Sequence, residues 1–142
     1  MIPKGKYVKT YKGKGAIKKL IEDFSSMQET GDTVYSFGYE DQFDKALGKE
    51  WWKTLRKTKT SHTRFQGVYS WHKKARKPSS ERAKTRYLKA GKGETEIAIY
   101  KDTVRIFCLT KKNPYAILIR DPAIAKSFMN YWKVLWQQGK SK

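Results

Sequence analysis

One cysteine, Cys108, and two histidines, His62 and His72, are all the thiol and imidazole in this 142-residue chain. A single cysteine excludes an internal disulfide and a zinc site built on cysteine pairs. It fits a reducing, intracellular setting. The histidines lie near lysines and away from any carboxylate cluster, so no metal site is read from them and no cofactor is called for. No apolar run approaches the roughly 20 residues that a membrane-spanning helix needs. The N-terminal MIPKGKYVKTYKGKG is basic but has no apolar centre of the signal-peptide kind. The expectation is a cytoplasmic protein without a membrane partner. Acidic residues are also scarce: 13 stand against 32 lysines and arginines, giving a formal net charge of +19.

Aromatic residues are plentiful, at 14%. Tryptophan and tyrosine at that density have a core to fill, so disorder throughout is excluded. The length suits one domain, and residues 1–142 are read as a single unit. The charge is segregated. Residues 1–20 carry seven lysines and no acid, whereas residues 21–50 have a net charge of −6. Residues 51–90 then carry +12. Self-repulsion of that size is relieved by a polyanion, so DNA or RNA is the expected partner class. A generally basic proteome is the alternative source of the charge.

The hydrophobic pattern predicts a mixed sheet flanked by helices. Residues 7–12 read as a short strand, and 16–27 as a helix with Ile17, Leu20, Ile21 and Phe24 on one face. Thr33–Tyr39 reads as a buried strand. One helix is expected from about residue 41 to 58, with Phe43, Leu47, Trp51 and Leu55 as its apolar stripe and a weakening Gly48 inside it. Residues 63–71 read as a strand with Gly67 as a bulge or a point of close approach. The segment 72–85 has no apolar periodicity and is expected to be a mobile basic loop, followed by a brief strand at 86–88. Strands at 95–100, 103–110 and 115–120 follow, rich in β-branched and aromatic residues. Asp121-Pro122 opens the last helix, with Asp as N-cap and Pro in the first turn. Its apolar face is Ile124, Phe128, Tyr131, Trp132 and Leu135.

No catalytic constellation emerges from these elements. Ile106, Phe107 and Leu109 around Cys108 suggest a packed thiol rather than a nucleophile. Gly13-x-Gly15 is a weak phosphate-loop signal. His72-x-Lys74 copies the start of the H-x-K-x4-D signature of phospholipase-D-like enzymes, but Ser79 stands where the Asp belongs, and the match reads as chance.

The patterns TEIAIYKDTVRIF, PYAILIRD and IAKSFMNYWKVLW, with the earlier YVKTYKGKGAIKKLIED, resemble the C-terminal domain of TrmB-type transcription regulators. That resemblance implies an α/β (α+β) fold similar to phospholipase D and catalytically degenerate. The catalytic His position becomes Thr95, the Lys position becomes Ile97, and the Asp is kept as Asp102. A phosphohistidine route cannot run without its histidine, so no enzyme activity is expected. The resemblance also implies a domain that senses a small molecule, often a sugar, or that mediates dimerisation.

Two readings follow. The first is a non-enzymatic TrmB-like regulator that binds nucleic acid or a ribonucleoprotein through a basic face. Its contacts, mainly to phosphates, are Arg56, Lys57, Lys59, Arg64, Lys73, Lys74, Arg76, Lys77, Arg82 and Lys84. The alternative is a sugar-like sensing or dimerisation domain acting with a separate DNA-binding protein.

Overall fold

The computed structural model describes residues 5–29, 31–39, 43–58, 63–71, 83–89, 93–110 and 112–140. Seven strands form one sheet: β1 (Tyr7–Lys12), β2 (Thr33–Tyr39), β3 (Arg64–Trp71), β4 (Ala83–Lys89), β5 (Thr95–Tyr100), β6 (Thr103–Cys108) and β7 (Tyr115–Arg120). Four helices accompany them: α1 (Lys14–Met27), α2 (Phe43–Leu47), α3 (Lys49–Thr58) and α4 (Pro122–Gln138). The strand order is β1-β7-β6-β5-β2-β3-β4. The pairs β1/β7, β7/β6, β6/β5 and β5/β2 are antiparallel, and β2/β3 and β3/β4 are parallel.

Strand alternation divides the core into two layers. On one face Ala98, Tyr100, Phe107, Ala116 and Leu118 meet Ile17, Leu20, Ile21 and Phe24 of α1, together with Leu47 and Leu55. On the other face Val68, Ile99 and Ile97 meet Phe128, Met129, Trp132, Leu135 and Trp136 of α4. Both faces of the central strands are therefore covered, which is why their sequences read as near-continuous apolar runs. The Trp132 indole donates to the Ser36 carbonyl of β2 at 2.9 Å, so α4 is bonded to the sheet as well as packed on it.

Asp121 caps α4 as its position predicts, accepting from the Ala123 amide at 2.9 Å. Tyr131 departs from the expected apolar stripe of this helix and is 62% exposed. The single helix expected across residues 41–58 is two. Gly48 has φ +106, outside the helical region, and divides α2 from α3. Gly67 is not a bulge, because the β2/β3 register runs through it unbroken. It is a place of close approach, where an added Cβ would lie 2.6 Å from the Tyr69 ring. Residues 83–85, read as loop, belong to β4 through pairing with β3. The rest of the predicted basic loop, 72–82, lies outside the described residues.

Gly38 is the tightest point between β2 and β5. Its φ is +136, and a Cβ there would lie 2.8 Å from the Glu96 Cα and closer still to the Thr95 carbonyl oxygen. Gly38→Ala should therefore destabilise the fold by about 2 kcal/mol or more, since backbone must move to admit the methyl. Chemical denaturation checks this, and an unchanged midpoint would contradict the close approach.

Candidate functional site

The β5–β6 hairpin is the place where the sequence reading located the remnant of a catalytic element. Its turn is Lys101-Asp102, with Lys101 at φ 52. The Arg120 guanidinium lies 3.3 Å from the Asp102 carboxylate, and the Asp102 carbonyl accepts from the Asp121 amide at 3.0 Å. Asp102 thus ties the hairpin to the end of β7 and the start of α4, which is a sufficient structural role for it. Thr95 lies at the open end of the hairpin and is exposed. Ile97 is packed against the α4 layer.

The register brings together residues that are distant in sequence. Thr95 pairs with Cys108, and Cys108 pairs with Tyr115, so the three form one row across β5, β6 and β7. Cys108 is half-buried rather than enclosed, which corrects the packed-thiol expectation. Its neighbours Phe107 and Leu109 point into the α1–α3 layer, whereas strand alternation turns Cys108 to the opposite side. A hydrogen-bond contact with Cys108 raises the pKa of the Tyr115 hydroxyl. Periodicity could have found this row only with the strand register in hand.

Two buried polar features lie on the α1 side of the same hairpin. Arg105 is 6% exposed, and its guanidinium stacks on the Phe24 ring at 4.2 Å and lies 5.6 Å from that of Phe107. Its Nε has no hydrogen-bond partner. Burial lowers its pKa to about 10, and the nearby Glu96 carboxylate partly opposes that shift. The second feature is the Tyr100 hydroxyl, which donates to the Asp32 carboxylate in the turn before β2. Asp32 also accepts from the Glu29 amide at 2.9 Å and faces Lys101 Nζ at 4.0 Å. The Tyr100 hydrogen bond, then that of Glu29, lowers the Asp32 pKa. Burial, then Asp32, raises the Tyr100 pKa.

Of the predicted phosphate contacts, Lys57 in α3, Arg64 at the start of β3 and Lys84 in β4 are exposed. Arg56 falls in α3. Lys59, Lys73, Lys74, Arg76, Lys77 and Arg82 lie outside the described residues, as do His62 and His72. The exposed three do not share a face. Lys57 belongs to the helical layer formed by α1, α2 and α3. Arg64 and Lys84 alternate with Phe65 and Ala83, which turns them to the α4 side of the sheet. There Arg86 stacks on the Trp136 ring at 4.2 Å and donates to the Trp136 carbonyl. Among the described residues no three His, Cys, Asp or Glu side chains are grouped to hold a metal, and no helix is long and apolar enough to cross a membrane.

No protein-family model and no curated protein matches the sequence. Solved structures do. NucT from Helicobacter pylori is similar at a TM-score of 0.68 and 10% identity, with 94% of this chain and 99% of NucT covered. Nuc from Salmonella typhimurium, a phospholipase D family member, is similar at 0.57 and 17% identity, covering 96% and 97%. TrmBL2, an archaeal chromatin protein, is similar at 0.58 and 12% identity, covering 95% of this chain but 54% of TrmBL2.

The fold is therefore phospholipase-D-like, a mixed sheet with flanking helices, as the sequence patterns implied. The expectation of a non-enzymatic regulator is corrected. Of the structures matched over nearly the whole of both chains, Nuc is a phospholipase D family member, which points away from a regulator. The resemblance had been read from core and turn residues, and these specify a fold that enzymes and DNA-binding proteins share.

The Tyr100–Asp32 bond sets a pH prediction. Asp32 has a lowered pKa when folded, so its contribution is present above the unfolded carboxylate value of about 4 and is lost as pH falls through the folded value. Tyr100 has a raised pKa, so its contribution is present below about 10 and is lost as pH rises through the folded value. Tyr100→Phe should lower the melting temperature most on the plateau between these limits, with the deficit shrinking on either side. A deficit that stays constant in melts from acid to alkali would rule out the carboxylate bond as its source.

Proposed function

We propose that this chain binds the phosphate backbone of nucleic acid and acts on its phosphodiester bonds. One observation carries the reading: the fold is shared with NucT and with the phospholipase D family member Nuc over nearly the full length of each. The charge supports it, because a net +19 on a chain of this size favours a polyanionic partner. TrmBL2, an archaeal chromatin protein with a novel mode of DNA binding, adds support for contact with DNA. The predicted basic residues would supply non-specific phosphate contacts, of which Lys57, Arg64 and Lys84 are exposed in the structure.

The position of the nucleophile differs from the family pattern. Thr95 is a weak nucleophile with no neighbouring base assigned to it, and Ile97 carries no charge for a phosphate. The chain has two histidines, so a phosphohistidine route must draw on His62 or His72. His72 is the better choice, since Lys74 supplies the second half of an H-x-K pair.

Incubation with labelled single- and double-stranded DNA and RNA tests this. Cleavage by the purified protein is expected, with its loss in His72→Ala and retention in His62→Ala. Nucleic acid that is bound but left intact would contradict the catalytic part of the reading.

A further inference from the structure

Charge on α3 is arranged by its packing. Trp51, Trp52 and Leu55 turn inward onto the core beside Phe43 and Phe107, with Phe43 stacked on Trp52 at 5.0 Å. The opposite side carries Lys49, Lys53 and Lys57, all exposed. At 3.6 residues per turn these three fall within an arc of roughly 80° and rise by about 6 Å per step. Glu50 is the one acid on α3, and it lies on the same outward side. None of the three lysines forms an ion pair with a described residue.

Trp51 also joins α3 to α1. Its indole donates to the Glu22 carboxylate at 3.2 Å, and Lys18 Nζ lies 5.5 Å from its ring centre. Lys18 thus lies at the α1–α3 contact, with the exposed Lys14 one turn earlier on α1. Lysines of α1 and of α3 therefore belong to one helical layer.

We propose that the outward side of this layer, with Lys49, Lys53 and Lys57 as its centre, is the surface that docks the phosphate backbone of nucleic acid. The inference rests on the proposed function and names the surface for it. A regular row suits a polymer of evenly repeated charges, each flexible lysine reaching a different phosphate of one strand. An anionic membrane is disfavoured, since an interfacial helix turns its aromatic side chains toward lipid, and those of α3 are spent on the core. Among the described residues the exposed large apolar side chains, Val8, Met27, Tyr115, Tyr131 and Val134, lie on elements other than α3.

The test is a salt series of binding to a labelled 20-base-pair duplex and to the matching single strand. It compares the full wild-type chain with two variants of equal charge, Lys49→Gln/Lys53→Gln/Lys57→Gln and Lys126→Gln/Lys133→Gln/Lys140→Gln. The second set is exposed, on α4 and just beyond it. Each phosphate contact contributes about 0.9 to the log–log salt slope on duplex and about 0.7 on single strand. The α3 variant should lose about two to three units of slope, and the α4 variant less than one. Equal slopes in the two variants would overturn the docking surface. So would an α3 effect confined to vesicles of phosphatidylserine and phosphatidylcholine. Wild-type cleavage with no α3 effect would remove this surface and leave the proposed function standing, whereas a wild-type chain that neither binds nor cleaves nucleic acid would remove both.

Discussion

Strands β2, β5 and β6 are buried on both faces, by α1–α3 on one side and α4 on the other. In a chain with net charge +19, that double burial decides where cations can go. They must lie on outward helix faces, on the sheet edges and in the connections, because an unpaired buried charge costs several kcal/mol. Arg105 is the exception that shows the rule. It lies inside only because two aromatic faces and the Glu96 carboxylate surround it, and even so burial depresses its pKa to about 10.

The same constraint explains what the sequence made legible. A strand buried on both faces is written as a dense apolar run, so β5, β6 and β7 were plain from residue 95 onward. α4 was equally plain because its cap, its proline and its apolar spacing agree. Gly48 was visible as a weak point, but a helix break requires a backbone angle, and composition does not supply one. Residues 83–85 were read as loop because their pairing partner, β3, is remote in sequence. The grouping of Thr95, Cys108 and Tyr115 depends on register across three strands, and the meeting of Lys18 with Trp51 depends on how two helices pack. Neither is a local pattern.

Fold and function are separable in this chain. The likeness to NucT and Nuc extends over nearly all of each chain, while the hairpin has Thr95 and Ile97 where the sequence resemblance implies a catalytic His and Lys. Asp102 has its own structural partners, Arg120 and the Asp121 amide. Of the predicted basic residues that are described as exposed, Lys57 is on the helical layer, and Arg64 and Lys84 are on the α4 side. Of these two sides, the α1–α3 layer has the more regular charge.

Lysine reactivity toward an acetylating reagent, read by mass spectrometry with and without a bound DNA duplex, tests most directly whether cations excluded from the core form a nucleic-acid surface on that layer. Strong protection of Lys49, Lys53 and Lys57, with Lys126 and Lys133 still reactive, is the predicted result. Uniform protection of all five, or protection confined to the α4 lysines, would contradict the account.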